Sequence, residues 1–532
     1  MCGTPEEEDG RHAMEEETMI HTSRPYAAAR LALLATVTLA TAVLAAPTAT
    51  GAGAAARGAA APGAAAPGAA APGGAAQAGP PVTWVGQIAR QDLPALPGSE
   101  PDTLVEPDIA VSPKDSRIAL AVAHDGRYPD GGAVGIASAW TGDGGKTWIQ
   151  KPLPGLTTAT GASKPWVRAS DPVAAYGPDG TAYVSTLIFD PKTCDSAVAV
   201  SRSADGGRTF AKPVLAHQSH TCSVSDDKNW LVVDSGASSP HRGRLYQFWT
   251  AFTADMFGNY YSPQALVYSD DGGRHWTTPI AVSDPDTNTQ NSQPMVLPSG
   301  TLVDTFMDFG TGSAGDRVEN PALRPVLRSA TKAEGPVVRS VISTDGGTTW
   351  RRGGTITDDV GGGPAGVRCC LPSATVDPAT KVMYAAWNSA QRTAVKVSSS
   401  TDGRTWTAPV VVNHPLTGLL TVNVDVAARG GTVMVSYGLT NASTKPTWWG
   451  QQYVSTSVDR GRTFRAPRAI GKRTDYAYAA FARGRFPGDY IGSAMADGRA
   501  YSVWALASRP ADPAAKFHQV LYAAVFDTRG LG

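Results

Sequence analysis

The sequence predicts an all-β fold built by radial repetition of four-stranded units, and three observations carry that prediction. An octet of the pattern Ser/Thr-x-Asp-x-Gly-x-Thr-Trp/Phe recurs six times, once in a shortened form. The copies lie roughly 55 to 75 residues apart, the length of one four-stranded unit with its loops. Between them, short apolar runs alternate with polar residues, and no extended amphipathic helical pattern appears.

The octets are TGDGGKTW from Thr141, SADGGRTF from Ser203, SDDGGRHW from Ser269, STDGGTTW from Ser343, STDGRTW from Ser400 and SVDRGRTF from Ser457. Each reads as a tight turn between two strands. The aspartates Asp143, Asp205, Asp271, Asp345, Asp402 and Asp459 have side chains that can accept from backbone N–H groups further along the turn. Glycine supplies the positive φ of the reversal. The closing Trp or Phe starts the next strand and buries a large ring between sheets. A structural role is therefore expected for these aspartates. One carboxylate per octet is too few for a calcium loop.

The chain begins with an acidic stretch containing Glu6, Glu7, Glu8, Glu15, Glu16 and Glu17. A basic segment from Arg24 to Arg30 precedes the apolar run Leu31–Ala45 and the small residues Ala45 and Ala46. Residues 1–46 read as an extension followed by a signal peptide, with an uncleaved anchor as the alternative. Residues 47–80 are rich in Ala, Pro and Gly and read as a disordered linker. Residues 81–532 hold the folded part, longer than one ordinary core sustains but within reach of radial repetition.

Within that part, each unit opens on a short apolar strand with an acidic or Pro start, such as EPDIAVSP from Glu106. A second strand follows, such as RIALAVAH from Arg117, and a third leads into the octet. Openings occur at Glu106, Asp171, Asp227, Gln293, Leu371, Val422 and Asp489. The last unit contains DYIGSAMA, RAYSVWAL and QVLYAAVF but no octet and no fourth strand, while VTWVGQIAR from Val82 is a spare strand at the other end. A β-propeller of seven blades, closed by this N-terminal strand, is the preferred architecture, with six blades as the alternative.

Lys and Arg total 46 against 46 Asp and Glu, so no basic face points to nucleic acid. The spacing of His217, His220 and His414 forms no zinc motif, and these read as solvated loop residues. No metal and no cofactor is predicted. An exported chain favours disulfides. Cys194 and Cys222 lie in adjacent units around one octet and are expected to pair. Cys369 and Cys370 are neighbours, and a bond between them and two free thiols stay open as alternatives.

Repeated Ser-x-Asp-x-Gly-x-Thr-Trp octets resemble the Asp boxes, or BNR repeats, of the sialidase (neuraminidase) superfamily, over about residues 82–530. The resemblance implies a propeller that binds an anionic sugar through three Arg and cleaves it with a Tyr nucleophile, an activating Glu and an Asp acid/base. Tyr in place of a carboxylate nucleophile is the exception among glycosidases. The early strand departs from the family pattern, because Glu106-Pro107-Asp108 stands where an Arg-Ile-Pro type motif is expected.

The loops opposite the octet turns hold most of the reactive residue types, and binding residues commonly ride on loops over a rigid scaffold. They carry Arg127 and Asp130; Lys164, Trp166, Arg168 and Asp171; Asp226, Asp227, Lys228 and Trp230; Asp308, Arg317 and Glu319; Arg368; and Arg485, Asp489 and Tyr490. Of these, Asp489, Tyr490 and Asp171 are the candidate catalytic residues, and Arg168, Arg368, Arg485, Trp166 and Arg127 the candidate substrate-binding ones. Convergent Arg would hold an anionic sugar by charge-assisted hydrogen bonds. Three functions fit: a secreted or cell-surface glycoside hydrolase resembling exo-α-sialidase, a non-catalytic propeller binding glycan or protein, and a hydrolase or lyase for another polysaccharide. The expected partner is an extracellular glycan or glycoprotein. A monomer is expected, without nucleic acid and without stable membrane insertion after signal cleavage.

Overall fold

Gly is placed where a strand must reverse, and the octets show the local rule. In the turn from Ser269, Gly272 and Gly273 take φ of 76° and 84°. The Ser269 hydroxyl donates to Asp271 Oδ1 at 2.8 Å and accepts the buried Gly273 N–H at 2.9 Å. Asp271 Oδ1 accepts from the N–H groups of Arg274 and His275 at 2.9 and 3.0 Å. The same bonds recur around Asp143, Asp205, Asp345, Asp402 and Asp459. The buried donor of the turn is thus satisfied by the leading Ser, and the Asp serves donors that face solvent.

The computed structural model describes residues 79–255, 260–311, 336–414, 418–441 and 448–531. The acidic extension, the apolar run at 31–45, residues 47–78 of the linker, and Arg317 and Glu319 lie outside the described residues. Among the described residues the structure is all β, with two 3-10 turns at Thr158–Thr160 and Tyr476–Tyr478. No helix among them is long and apolar enough to cross a membrane.

The strands form antiparallel four-strand groups. Four sheets have four strands, one has a fifth short strand, and one has eight. The eight-stranded sheet is two such groups joined only where Ala133 pairs with Ala169. In chain order the innermost strands are Leu104–Val111, Arg168–Tyr176, Val224–Val233, Thr287–Val296, Ser373–Asp377, Leu420–Arg429 and Gly492–Ala496. The strand Val82–Ala89 lies antiparallel on Gln519–Asp527, with Val82 opposite Phe526, and becomes the fourth strand of the last group.

Apolar cores form between successive groups rather than within them. Leu120, Val122 and Ile136 of the first meet Ala174, Tyr176 and Val184 of the second. Val424, Val426 and Val433 of the sixth meet Tyr384, Ala386 and Val395 of the fifth. Ile109, Ala121 and Ala139 of the first group also pack against Tyr501, Val503 and Val525 of the last. The octet ring Trp148 sits in this seam, 6.4 Å from Trp84 and 6.5 Å from Tyr501 between centroids. Two glycines permit the close approach. A Cβ on Gly492 would stand 2.8 Å from the Asp108 Cα, and one on Gly488 would stand 2.7 Å from the Glu106 nitrogen.

Cys194 and Cys222 are disulfide-bonded. Cys369 and Cys370 are bonded to each other, which resolves the alternative of two free thiols. His217 is a correction. It lies in the strand Val214–Ser219, not a loop, and stacks on Trp249 at 4.7 Å between centroids, with Asp226 3.7 Å from its Nε2.

Candidate crevice at the inner strands

Five inner strands carry a bulge at the same place, and at each the chain puts a non-glycine residue in the left-handed region. These are Glu106, Asp171, Lys228, Asn291 and Asn423, with φ of 54°, 49°, 48°, 68° and 48°. Their register shifts fall at Val105/Asp108, Ser170/Val173, Asp227/Trp230, Gln290/Gln293 and Val422/Val424. Left-handed backbone costs an L-residue about 1–2 kcal/mol, so five such residues mark a place where the surrounding structure holds strain.

Hydrogen bonds link these bulges in sequence. The Asp171 N–H donates to His124 Nε2 at 2.9 Å, and that nitrogen is 3.1 Å from Glu106 Oε2. The Lys228 N–H donates to Asp227 Oδ1 at 2.9 Å, and the Asp171 carboxyl lies close to both. Gln290 Nε2 donates to Asp227 Oδ2 at 3.3 Å, and Asn291 Nδ2 to the Pro372 carbonyl at 2.8 Å. The Asn423 N–H donates to Cys370 Sγ at 3.1 Å and its Nδ2 to the Gly488 carbonyl at 3.2 Å. The Asp489 N–H donates to Glu106 Oε1 at 3.4 Å, returning to the first strand.

The charged groups collected here control one another. Burial, then Asp171 and Asp489, push the Glu106 carboxyl well above its ordinary range. Burial also drives His124 well below its usual value. Since His124 Nε2 accepts an N–H, that nitrogen carries no proton, and its contact with Glu106 is not an ion pair. Asp171 is raised by burial, against Lys228, which favours its charged form. Asp227 lies within hydrogen-bonding reach of the Asp171 carboxyl and is pushed up to about 7 by burial and by Asp171. Two such close carboxyls compete for protons, because each disfavours the other's charge. Lys228 is 2 % exposed; its Nζ lies 3.7 Å over the Tyr490 ring and 4.4 Å over the Trp230 ring. Arg368 NH2 donates to Asp489 Oδ2 at 3.3 Å, and its side chain is 45 % exposed, which opens the crevice to solvent.

The candidates from sequence separate. Asp171, Asp489 and Tyr490 come together with Arg368. Tyr490 is buried, its hydroxyl donates to the Pro172 carbonyl at 3.3 Å, and burial followed by Glu106 and Asp171 raises the phenol well above its usual value. In this arrangement it is a wall under Lys228. Arg127 is buried, with its guanidinium 4.4 Å over the Phe486 ring, and Arg368 lies 5.2 Å over the same ring. Arg168 is bound instead to Asp130 at 2.8 Å and rests 4.1 Å over Tyr128. Trp166 packs on the core between the first two groups. Arg485 meets the Arg368 segment through the backbone, the Arg368 N–H donating to its carbonyl at 3.0 Å, but its guanidinium donates to the Ala479 carbonyl.

Glu106, His124 and Lys228 were not among the candidate catalytic or binding residues. The signal available for Glu106 and Lys228 is positional: they stand near the opening of a repeated inner strand, where the other units also place polar side chains; His124 lies instead on the second strand of the first group, opposite Val105. Among the described residues no group of three or more His, Cys, Asp or Glu is arranged to hold a metal ion.

Residues 237–425 match the family described as BNR repeat-like domain. Among solved structures, a Hadza microbial sialidase is 15% identical over 78% of this chain and 75% of its own, with a TM-score of 0.44. The α-L-arabinanase of Penicillium chrysogenum, solved with arabinobiose, is 12% identical over 84% of this chain and 99% of its own, TM-score 0.43. An ulvan lyase of a new polysaccharide lyase family is 11% identical over 80% of this chain and 94% of its own, TM-score 0.47. No curated protein sequence matches the chain.

Proposed function

We propose that this chain, which carries a BNR repeat-like domain at residues 237–425, is an exported seven-bladed propeller that hydrolyses glycosidic bonds of extracellular glycans at the crevice of Glu106, Asp171, Asp227, Arg368 and Asp489. The circuit of hydrogen bonds from Glu106 through each inner strand and back supports the ring and its seven blades. So does the apolar seam between the first and last groups. The apolar run Leu31–Ala45 supports export.

The chemistry rests on one observation, the Asp171–Asp227 pair with Asp227 raised to about 7. A carboxyl still protonated at neutral pH is a general acid. Asp227 donates its proton to the leaving glycosidic oxygen as the bond to the anomeric carbon breaks. A water attacks that carbon and gives its proton to Asp489, which Arg368 holds in place. Asp489 then releases its proton to solvent, and Asp227 takes one up from solvent by way of Asp171, which returns both to their starting states. Arg368 also offers N–H donors to a carboxylate or hydroxyl of the sugar.

A sialidase-type covalent route needs an accessible phenol, and the buried Tyr490 does not offer one as it stands. Glycan capture without cleavage is the second reading this favours. Reducing-end release from a panel of sialosides, uronate-containing glycans and neutral glycans tests both. Asp227→Asn is expected to lower kcat by about 10²–10⁴-fold and to remove the basic limb of the pH profile near 7, with melting unchanged. Full activity of that variant would assign the acid elsewhere, and binding without release would leave the capture reading.

A further inference from the structure

Outside the crevice, the segment between the strands Arg468–Asp475 and Gly492–Ala496 holds Phe481 47 % exposed. The ring is not on a loose loop. The Phe481 N–H donates to both oxygens of Glu100, at 3.1 and 3.0 Å, and Glu100 is only 6 % exposed. The Ala480 N–H donates to Gln519 Oε1 at 2.8 Å, Phe486 N–H to the Ala480 carbonyl at 2.8 Å, and Ala482 N–H to the Gly484 carbonyl at 2.8 Å. Asp475 caps the preceding turn by accepting the Ala477 N–H at 3.0 Å. Burying a carboxylate to position an exposed phenylalanine opposes stability on both counts.

What these bonds frame is an open pocket of about 520 Å³ lined by Glu100, Tyr478, Phe481, Arg485, Lys516 and Phe517. Three aromatic rings offer flat apolar faces, and two cations stand at the wall. A pyranose has a C–H face that packs on an aromatic ring and a polar edge that takes directed hydrogen bonds. Arg485 and Lys516 select an anionic substituent on that edge, a carboxylate or a sulfate. The pocket connects with the crevice through charge and packing. Glu100 interacts with both Arg485 and Arg127, and Arg127 and Arg368 lie on the one Phe486 ring.

We infer that the pocket of Phe481 and Arg485 is a second sugar subsite, which binds the anionic unit neighbouring the one held in the crevice of an oligosaccharide. The inference rests on the glycan-hydrolase reading and adds the substrate class: an oligosaccharide of at least two units with a carboxylate or sulfate on the outer one. Arg485 serves this unit while Arg368 serves the unit being cleaved.

The test is titration of the full chain, with Asp227→Asn present to stop turnover, against an array of mono- to hexasaccharides in uronate, sulfated and neutral series. Affinity is expected to rise about 10–100-fold on adding the second, anionic unit, the scale of a charged hydrogen bond with ring packing. Phe481→Ala and Arg485→Ala are each expected to lose that gain while keeping the affinity for the single unit. The two anionic series tell carboxylate from sulfate. Gain retained in both variants, or an equal gain in the neutral series, overturns the subsite. No binding by any member of the array overturns the glycan reading itself, and binding that stops growing at one unit overturns only the subsite.

Discussion

Asp271 receives two backbone donors, from Arg274 and His275, and both face water. Removing its side chain lets water replace it, while Ser269 goes on satisfying the buried Gly273 N–H. Asp271→Ala is therefore expected to cost about 0.5–2 kcal/mol, the scale of a lost cap, with glycan affinity unchanged; chemical denaturation beside a binding titration measures both. Asp227 is the contrast at the same scale. It is no more unusual as a residue type, yet burial and Asp171 hold its proton to about 7. Replacing it is expected to remove activity and leave the fold. Identical side chains in one chain thus differ in proton affinity because one has solvent at its back and the other a second carboxyl.

The bulged inner strand is the element that makes the site. A regular strand would turn alternate side chains toward either neighbouring sheet. The left-handed residue breaks the alternation and lets Glu106, Asp171 and Lys228 interact across three strands. The seventh strand reaches the first only because it starts on glycine. Gly492→Ala would set a Cβ 2.7 Å from the Ile109 nitrogen and 2.8 Å from the Asp108 Cα, both backbone atoms that cannot yield by a rotamer change. It is expected to destabilise by about 1–3 kcal/mol and to weaken binding in the crevice, because Asp489 precedes the same strand; thermal melting and titration separate the two effects. The Cys369–Cys370 bond sits next to Arg368 in sequence, and Cys194–Cys222 ties neighbouring segments of two groups. Non-reducing peptide mapping is expected to recover both pairs linked. Recovery of any of the four as an alkylated thiol before reduction would contradict the arrangement.

For the whole molecule, buried aspartates set how stability depends on pH. Burial raises Asp304 and Asp425 to about 7 and Asp108 to about 6, against 3.8 for the free side chain. A raised carboxyl contributes stability fully below its unfolded value and loses it as pH rises through its folded value. The octet aspartates have the opposite sign. Asp143, Asp205, Asp345 and Asp459 lie at about 2, so their contribution is present above 3.8 and lost as pH falls through 2. That second effect is small, because these groups are largely exposed and screened. The melting temperature is thus expected to be higher near pH 5 than near pH 8. Asp304→Asn, which leaves an acceptor for the Ser292 hydroxyl, is expected to flatten that slope. An unchanged slope would assign it to other groups.

The octets, the all-β class, the four-strand groups and the pairing of the Val82 strand with Gln519–Asp527 were legible in the sequence, because each depends on local chemistry repeated along the chain. Turn residues, alternation, a spare strand at one end and a missing one at the other are one-dimensional signals. The strand openings at Glu106, Leu371 and Val422 were legible for the same reason, each lying within two residues of an observed start at Leu104, Ser373 or Leu420. Asp171, Asp227 and Asp489 were placed less well, the strands starting at Arg168, Val224 and Gly492, and Gln293 least well, its strand starting at Thr287. Cys194 and Cys222 paired as their spacing suggested, whereas nothing in the order of residues decides whether Cys369 and Cys370 join. The site was legible only as a pool of reactive loop residues. Arg127, Arg168, Arg368 and Arg485 look alike as letters. The tertiary structure buries the first behind Phe486, ties the second to Asp130, opens the third to the crevice and holds the fourth on the Ala479 carbonyl. Side-chain direction and burial follow from how segments distant in sequence meet, and a carboxyl acquires its proton affinity only from the neighbours that meeting brings.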